Sequence, residues 1–365
     1  LPARRLRLLQ VATWTSVPQV IFALAQVAGW DPLNAGRTGD VLTRVTAGLG
    51  NPNSLAGYLV MLLPISLYLT WQTQGAPKVV YATLAILQFV VLIFTQARGA
   101  WLGLLAAAWL ALLLLAALRV QRHLVLGAIL ITLIGSMALV GLSLPTAEQL
   151  RSTPILGRLV RIGAPGTTGA QRLLIWQGAL AMVADNLARL PFGQGLETTP
   201  LAYYPYYPPE LATYEADGVV RLPDRVHNLI GDTMAESGLV GLVASLALWD
   251  TAAGIGLQQL RLLAGRKEQT ALIITVIAGT FTGGLMGMAA SLPYGGALAM
   301  AGVALGAFLA VGVWLAWHTW QSASFPMLSL RQVAETVTLL TALAAHWIDM
   351  QFGFTTAATG LLFWL

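Results

Sequence analysis

The chain has no cysteine, and only Lys78 and Lys267 among its 20 basic residues are lysines. Without cysteine there are no disulfides, no thiolate metal sites and no thiol nucleophile. Charge is scarce too. Charged residues make up 10% of the 365 positions, against about 25% in a soluble domain, so a water-facing surface could not be covered. Metal-ligand patterns are also missing: the four histidines form no HExxH and no close pair, and no DxD motif occurs. The sequence therefore asks for no metal and no cofactor. A net charge of +5 is explained by loop arginines and is no signal for nucleic acid.

What is present is apolar. Hydrophobic residues account for 57% of the chain and the mean hydropathy is +0.72. Ten apolar segments are marked, at 8–28, 54–71, 79–96, 99–118, 124–143, 227–249, 271–292, 295–317, 333–347 and 353–365. Runs of about 20 apolar residues cross a bilayer as helices, because a helix satisfies its own backbone in lipid. The expected fold is all-α: a polytopic transmembrane bundle of about ten spans in contact with membrane lipids. A start at Leu1 and a stop at Leu365 inside an apolar run predict a fragment, with further spans missing.

Short loops predict orientation. Arg4, Arg5 and Arg7 precede the first segment, and Lys78 follows the second. Arg119 and Arg122 follow the fourth, Arg261, Arg266 and Lys267 the sixth, and Arg331 the eighth. Strict alternation puts all of them on one side, which the positive-inside rule makes cytoplasmic. The chain then divides into N-terminal spans (1–143), a large extracytoplasmic loop (144–226) and C-terminal spans (227–365). The loop holds seven arginines and seven acids. A connection that long is functional or unstructured. Periodic Leu173, Leu174, Trp176, Leu180, Val183 and Leu187 predict a helix over 171–190. A PFGQG turn and a rigid YYPYYPP run over 203–209 follow.

Three residues on the expected outer side carry chemistry. Arg98, in TQARGAWLGL, sits at a span boundary where an arginine is either functional or snorkelling to lipid phosphate. Arg172 opens QRLLIWQGAL, as a surface arginine or one aimed at headgroups. His227, in RVHNLIGDTMAESGLVGLV, is a helix-cap residue or a proton acceptor. Asp232 and Glu236 follow four apart on the same predicted helix, Glu236 roughly 13 Å below His227, where acids need a partner or an aqueous cavity. Asn228 is a further cap candidate. Two arginine forks suit a lipid diphosphate and its departing oxygens, and a histidine suits an attacking hydroxyl.

These segments resemble the O-antigen ligase and polymerase superfamily, which also takes in proteins described as bicarbonate transporters. HNLIGDTMAESGLVG is HN, nine residues, then GxxG at Gly238 and Gly241. GLGNPNSLAGYLVMLLPISL is similar to an NPN segment at Asn51, Pro52 and Asn53. TQARGAWLGL is similar to an SRG motif, with Ala97 where serine is common. QRLLIWQGAL followed by PFGQG completes the order, and the likeness covers residues 48–243. The resemblance implies a GT-C-like membrane transferase. Its donor is a polyprenyl-diphosphate-linked glycan, and its acceptor a lipid, glycan or protein on the periplasmic face of the inner membrane. It implies His227 as base and Arg98 and Arg172 as diphosphate ligands, with Asn53, Asn228 and Glu236 completing the substrate site. A histidine-acid pair near the end, His346 and Asp349, has a structural or a functional reading.

Ligase and polymerase use the same donor and stay undivided. The alternative is an anion transporter, bicarbonate for instance, with Asp232 and Glu236 along an ion path. Against it, the arginines gather at one face, and no inverted repeat is apparent.

Overall fold

The computed structural model describes residues 2–32, 44–118, 123–128, 130–132, 168–214, 221–263, 265–321, 328–353 and 359–360. Among them there is no strand. Among the described residues, seven helices are long and apolar enough to cross a membrane, covering 3–27, 52–72, 76–94, 98–117, 229–259, 266–290 and 299–320. The protein is a multi-pass membrane protein. Of the other expected spans, 124–143 is helical at 124–128 and 130–132, and its remainder lies outside the described residues. The segment 353–365 also lies mostly outside them. The ninth, 333–347, is a helix (Leu330–Asp349) less apolar than the seven.

The chain forms two compact units. The first contains α1 (Pro2–Trp14), α2 (Ser16–Val27), α3 (Pro52–Gln72), α4 (Ala76–Phe94), α5 (Arg98–Ala117) and, from the far end of the chain, the Leu330–Asp349 helix. Its core is α3, whose Leu55, Leu59, Leu62 and Leu69 are fully buried. The asparagine-proline motif explains where α3 starts. Asn51, extended at φ −137°, accepts the backbone N–H of Asn53 on Oδ1 at 2.8 Å. Pro52 takes the first helical position, where its missing N–H costs nothing.

The second unit contains α6 (Thr168–Asp185), the short α7 (Thr199–Tyr203), α8 (Leu229–Gln259), α9 (Arg266–Ala290) and α10 (Ala299–Gln321). α9 and α10 pack backbone to backbone: a methyl on Gly283 would fall 2.2 Å from the Gly302 carbonyl oxygen, the close approach that small residues allow between membrane helices. α6 is the amphipathic helix expected in the loop, ending at Asp185, where Asn186 leaves helical geometry at φ −126°, ψ 80°. The tyrosine-proline run folds into α7 and two 3₁₀ turns, Tyr204–Tyr206 and Pro209–Tyr214. Fully buried Tyr203 donates its hydroxyl to the Ile175 carbonyl at 3.1 Å.

The expected continuous helix after His227 is broken. Gly238 adopts φ 63°, ψ −159° inside α8, and the PFGQG turn enters the gap. The N–H groups of Gln194 and Gly195 reach the carbonyls of Ala235 and Glu236 at 2.8 and 2.9 Å. In return, Leu239 and Val240 donate to the carbonyls of Leu190 and Pro191 at 2.9 and 3.0 Å. The ladder freed by the break is thus satisfied by one loop, as apolar surroundings require. A methyl on Gly238 would lie 2.5 Å from Gly193 N, and one on Gly193 2.5 Å from the Glu236 carbonyl carbon. Gly238 therefore serves loop insertion.

Candidate functional site

His227 immediately precedes the N-cap of α8, and side chains from three directions fix the backbone around it. Buried Asn228 is the N-cap residue. Its Oδ1 accepts the Gly231 N–H at 2.9 Å, and its amide donates to the Gln351 carbonyl at 3.1 Å. On the other flank the Val226 N–H donates to Asp232 Oδ1 at 2.6 Å, and the Val226 carbonyl accepts from the Trp176 indole at 2.9 Å. Between these anchors His227 sits at φ 59°, left-handed backbone that a non-glycine residue keeps only when its surroundings hold it there.

Trp176 belongs to α6, and Arg172 lies one turn earlier on the same face. The bond that ties α6 to Val226 therefore brings Arg172 toward His227. Its charge acts on the imidazole. Burial first, then the Arg172 guanidinium and more weakly Arg225, hold the His227 pKa down at about 4, with Asp224 partly opposing. Asp224 Oδ1 is 4.0 Å from Nε2, beyond hydrogen-bond reach. At neutral pH the imidazole is uncharged and has a lone pair for a proton.

Arg225 was not singled out by the sequence, although it stands two residues before the histidine. It pairs with Glu236 Oε1 at 2.7 Å and with Glu197. Glu236 Oε1 also accepts the Glu197 N–H at 3.3 Å. Nearly buried Glu236 thus has a cationic partner from the loop, as an acid at this position needs. Trp176 was read as helix core and carries an orienting hydrogen bond as well.

The other predicted residues belong to the first unit. Arg98 is the first residue of α5, after a turn in which Gln96 has φ 52° and Thr95 Oγ1 accepts the Ala97 N–H at 3.3 Å. Asn53 holds an arginine the sequence reading missed: Arg44 donates Nη2 to Asn53 Oδ1 at 3.0 Å and Nε to the Thr95 carbonyl at 2.8 Å. His346 and Asp349 are buried in the last turn of the Leu330–Asp349 helix, and a methyl on Gly57 would fall 2.6 Å from Asp349 Oδ2.

Residues 83–246 match the family profile described as O-antigen ligase. The chain carries an O-antigen ligase family domain. That domain spans α5, α6, the loop and the broken start of α8, so Arg98, Arg172, His227, Asn228 and Glu236 fall inside it, and Asn53 precedes it. No curated protein and no solved structure matches the chain significantly.

Proposed function

We propose that this O-antigen ligase family protein is a metal-independent glycosyltransferase. It moves a glycan from a polyprenyl-diphosphate carrier to an acceptor hydroxyl at the extracytoplasmic face of the inner membrane. The observation that carries the reading is the His227 turn, held by the Asn228 cap and tied by the Trp176–Val226 hydrogen bond to the helix that carries Arg172. A lipid diphosphate brings about two negative charges to such cations, and guanidinium forks match its oxygens. The acceptor oxygen attacks the anomeric carbon and its proton passes to His227. The carbon–oxygen bond to phosphate breaks, and the electron pair leaves with the polyprenyl diphosphate, stabilised by Arg172. The donor is already activated, so the balance needs no cofactor. By the motifs they belong to, Arg98 is a diphosphate ligand and Asn53 a substrate-site residue as well. Asn228 and Glu236 act by holding the His227 turn and Arg225.

A GT-C-like bundle of about ten spans, with residues 144–226 as an outer loop between spans at 1–143 and 227–365, accompanies this reading. The basic loops support that orientation. The acids invoked for ion transport are engaged elsewhere, Asp232 by Val226 and Glu236 by Arg225, which favours the transferase.

The test is transfer by the reconstituted protein from a polyprenyl-diphosphate glycan to candidate lipid, glycan and protein acceptors. His227→Ala is expected to insert normally and lose transfer; Arg172→Ala and Arg98→Ala should each weaken donor use. Wild-type transfer by His227→Ala would overturn the mechanism.

A further inference from the structure

The loop that enters the α8 break carries an apolar surface that the site does not use. Leu187, Phe192, Leu196, Leu201 and Tyr204 are all strongly exposed, from 68% for Tyr204 to 81% for Leu201. In water such a cluster would be unusual. Its neighbours identify its surroundings. The loop backbone is bonded directly to Leu239 and Val240, and from that point α8 presents Leu239, Val240, Val243 and Ile255 outward, the lipid-facing side of a span. The loop's apolar surface therefore adjoins that lipid face.

Helix lengths agree on the level. Residues 239–259 run roughly 31 Å at 1.5 Å per residue, close to a hydrocarbon core of about 30 Å. In α9, the residues after the charged start Arg266, Lys267 and Glu268 run a similar length to Ala290. The first part of α8, 229–237, lies beyond that thickness and carries Glu236, whose pair with Arg225 belongs in a polar zone. Irregular backbone is excluded from lipid unless its polar groups are satisfied. Here the N–H groups of 189, 190 and 192–195 all have backbone acceptors.

We propose that residues 187–204 form an interfacial wedge whose apolar side chains sink into the adjacent lipid leaflet. Gly238 marks the hydrocarbon boundary. Glu236 then lies at that boundary, and the His227 turn lies on the far side of it from the 239–259 span. The occupant of the surface is lipid, because it continues a span's lipid face and is rimmed by Arg189, Gln194 and Glu197, charged and polar groups suited to headgroups.

The chain has no cysteine, so single cysteines can be spin-labelled without background. The full chain, reconstituted in liposomes, is labelled at Phe192→Cys, Leu196→Cys and Leu201→Cys. Val240→Cys serves as the lipid reference and exposed Thr213→Cys as the water reference. The ratio of collisions with oxygen to collisions with a nickel chelate is expected to be several-fold higher at the three loop sites than at Thr213→Cys, and to approach Val240→Cys. Ratios equal to Thr213→Cys would overturn the wedge. So would labels shielded from both reagents, which would mean that protein covers the surface.

Discussion

The Trp176 indole donates to the Val226 carbonyl at 2.9 Å, a bond between the helix carrying Arg172 and the turn carrying His227. It ties together two features far apart in the chain. Trp176→Phe keeps most of the ring and removes the donor, leaving a buried carbonyl unsatisfied at about 1–3 kcal/mol. Initial-rate measurements should find the rate of glycan transfer reduced about tenfold or more, with the protein still folded. Trp176→Ala should lower the melting temperature as well, since truncating a buried tryptophan costs about 3–5 kcal/mol.

The pH profile should carry the mark of Arg172. In the proposed mechanism His227 must be uncharged to take a proton, so transfer is expected to fall as pH drops through its pKa, about 4 in the free protein. Removing the neighbouring positive charge raises that pKa. In Arg172→Gln the acid limb of kcat/KM should therefore move to higher pH. A diphosphate bound at Arg172, as proposed, would neutralise the same charge, so in the wild type the limb of kcat should lie above that of kcat/KM. Coincident limbs in wild type and variant would remove Arg172 from the neighbourhood of the base.

The Arg225 cluster should divide unequally. Glu236 is nearly buried and Glu197 is exposed. Arg225→Ala strands the Glu236 carboxylate and should destabilise by about 3 kcal/mol, the low end for a broken buried pair because the arginine keeps some exposure. Glu197→Gln should change stability by about 0–1 kcal/mol. Thermal denaturation in detergent compares the two, and equal losses would contradict the assigned pairing.

The glycine interlock should be intolerant. Gly238→Ala meets Gly193 N and the Leu190 carbonyl oxygen at 2.5 Å and forces an L-residue to φ 63°. Overpacking and backbone strain each cost about 1–3 kcal/mol. Gly254→Ala, on the same helix with open space at its Cβ, is the control and should be neutral or stabilising. A normal melting temperature for Gly238→Ala would mean that the loop does not enter the helix.

Much of this was legible before any coordinates. Long apolar runs marked the spans, and apolar periodicity marked the helix that carries Arg172. The interlock was not legible. HN-x9-GxxG and PFGQG read as two separate local signals, because a glycine on a helix and a glycine in a turn look alike whether or not their backbones meet. Arg44 and Arg225 passed as ordinary loop arginines, since their partners Asn53, Glu236 and Glu197 are identified by tertiary contact rather than by spacing.

The left-handed backbone at His227 bears on how its side chain can be removed. Alanine there would lose the imidazole and also press the turn to relax, so a dead enzyme could reflect either loss. Asparagine accepts that backbone far more readily. His227→Asn therefore separates the ring from the shape of the chain: the turn stays wound while the proton acceptor is gone.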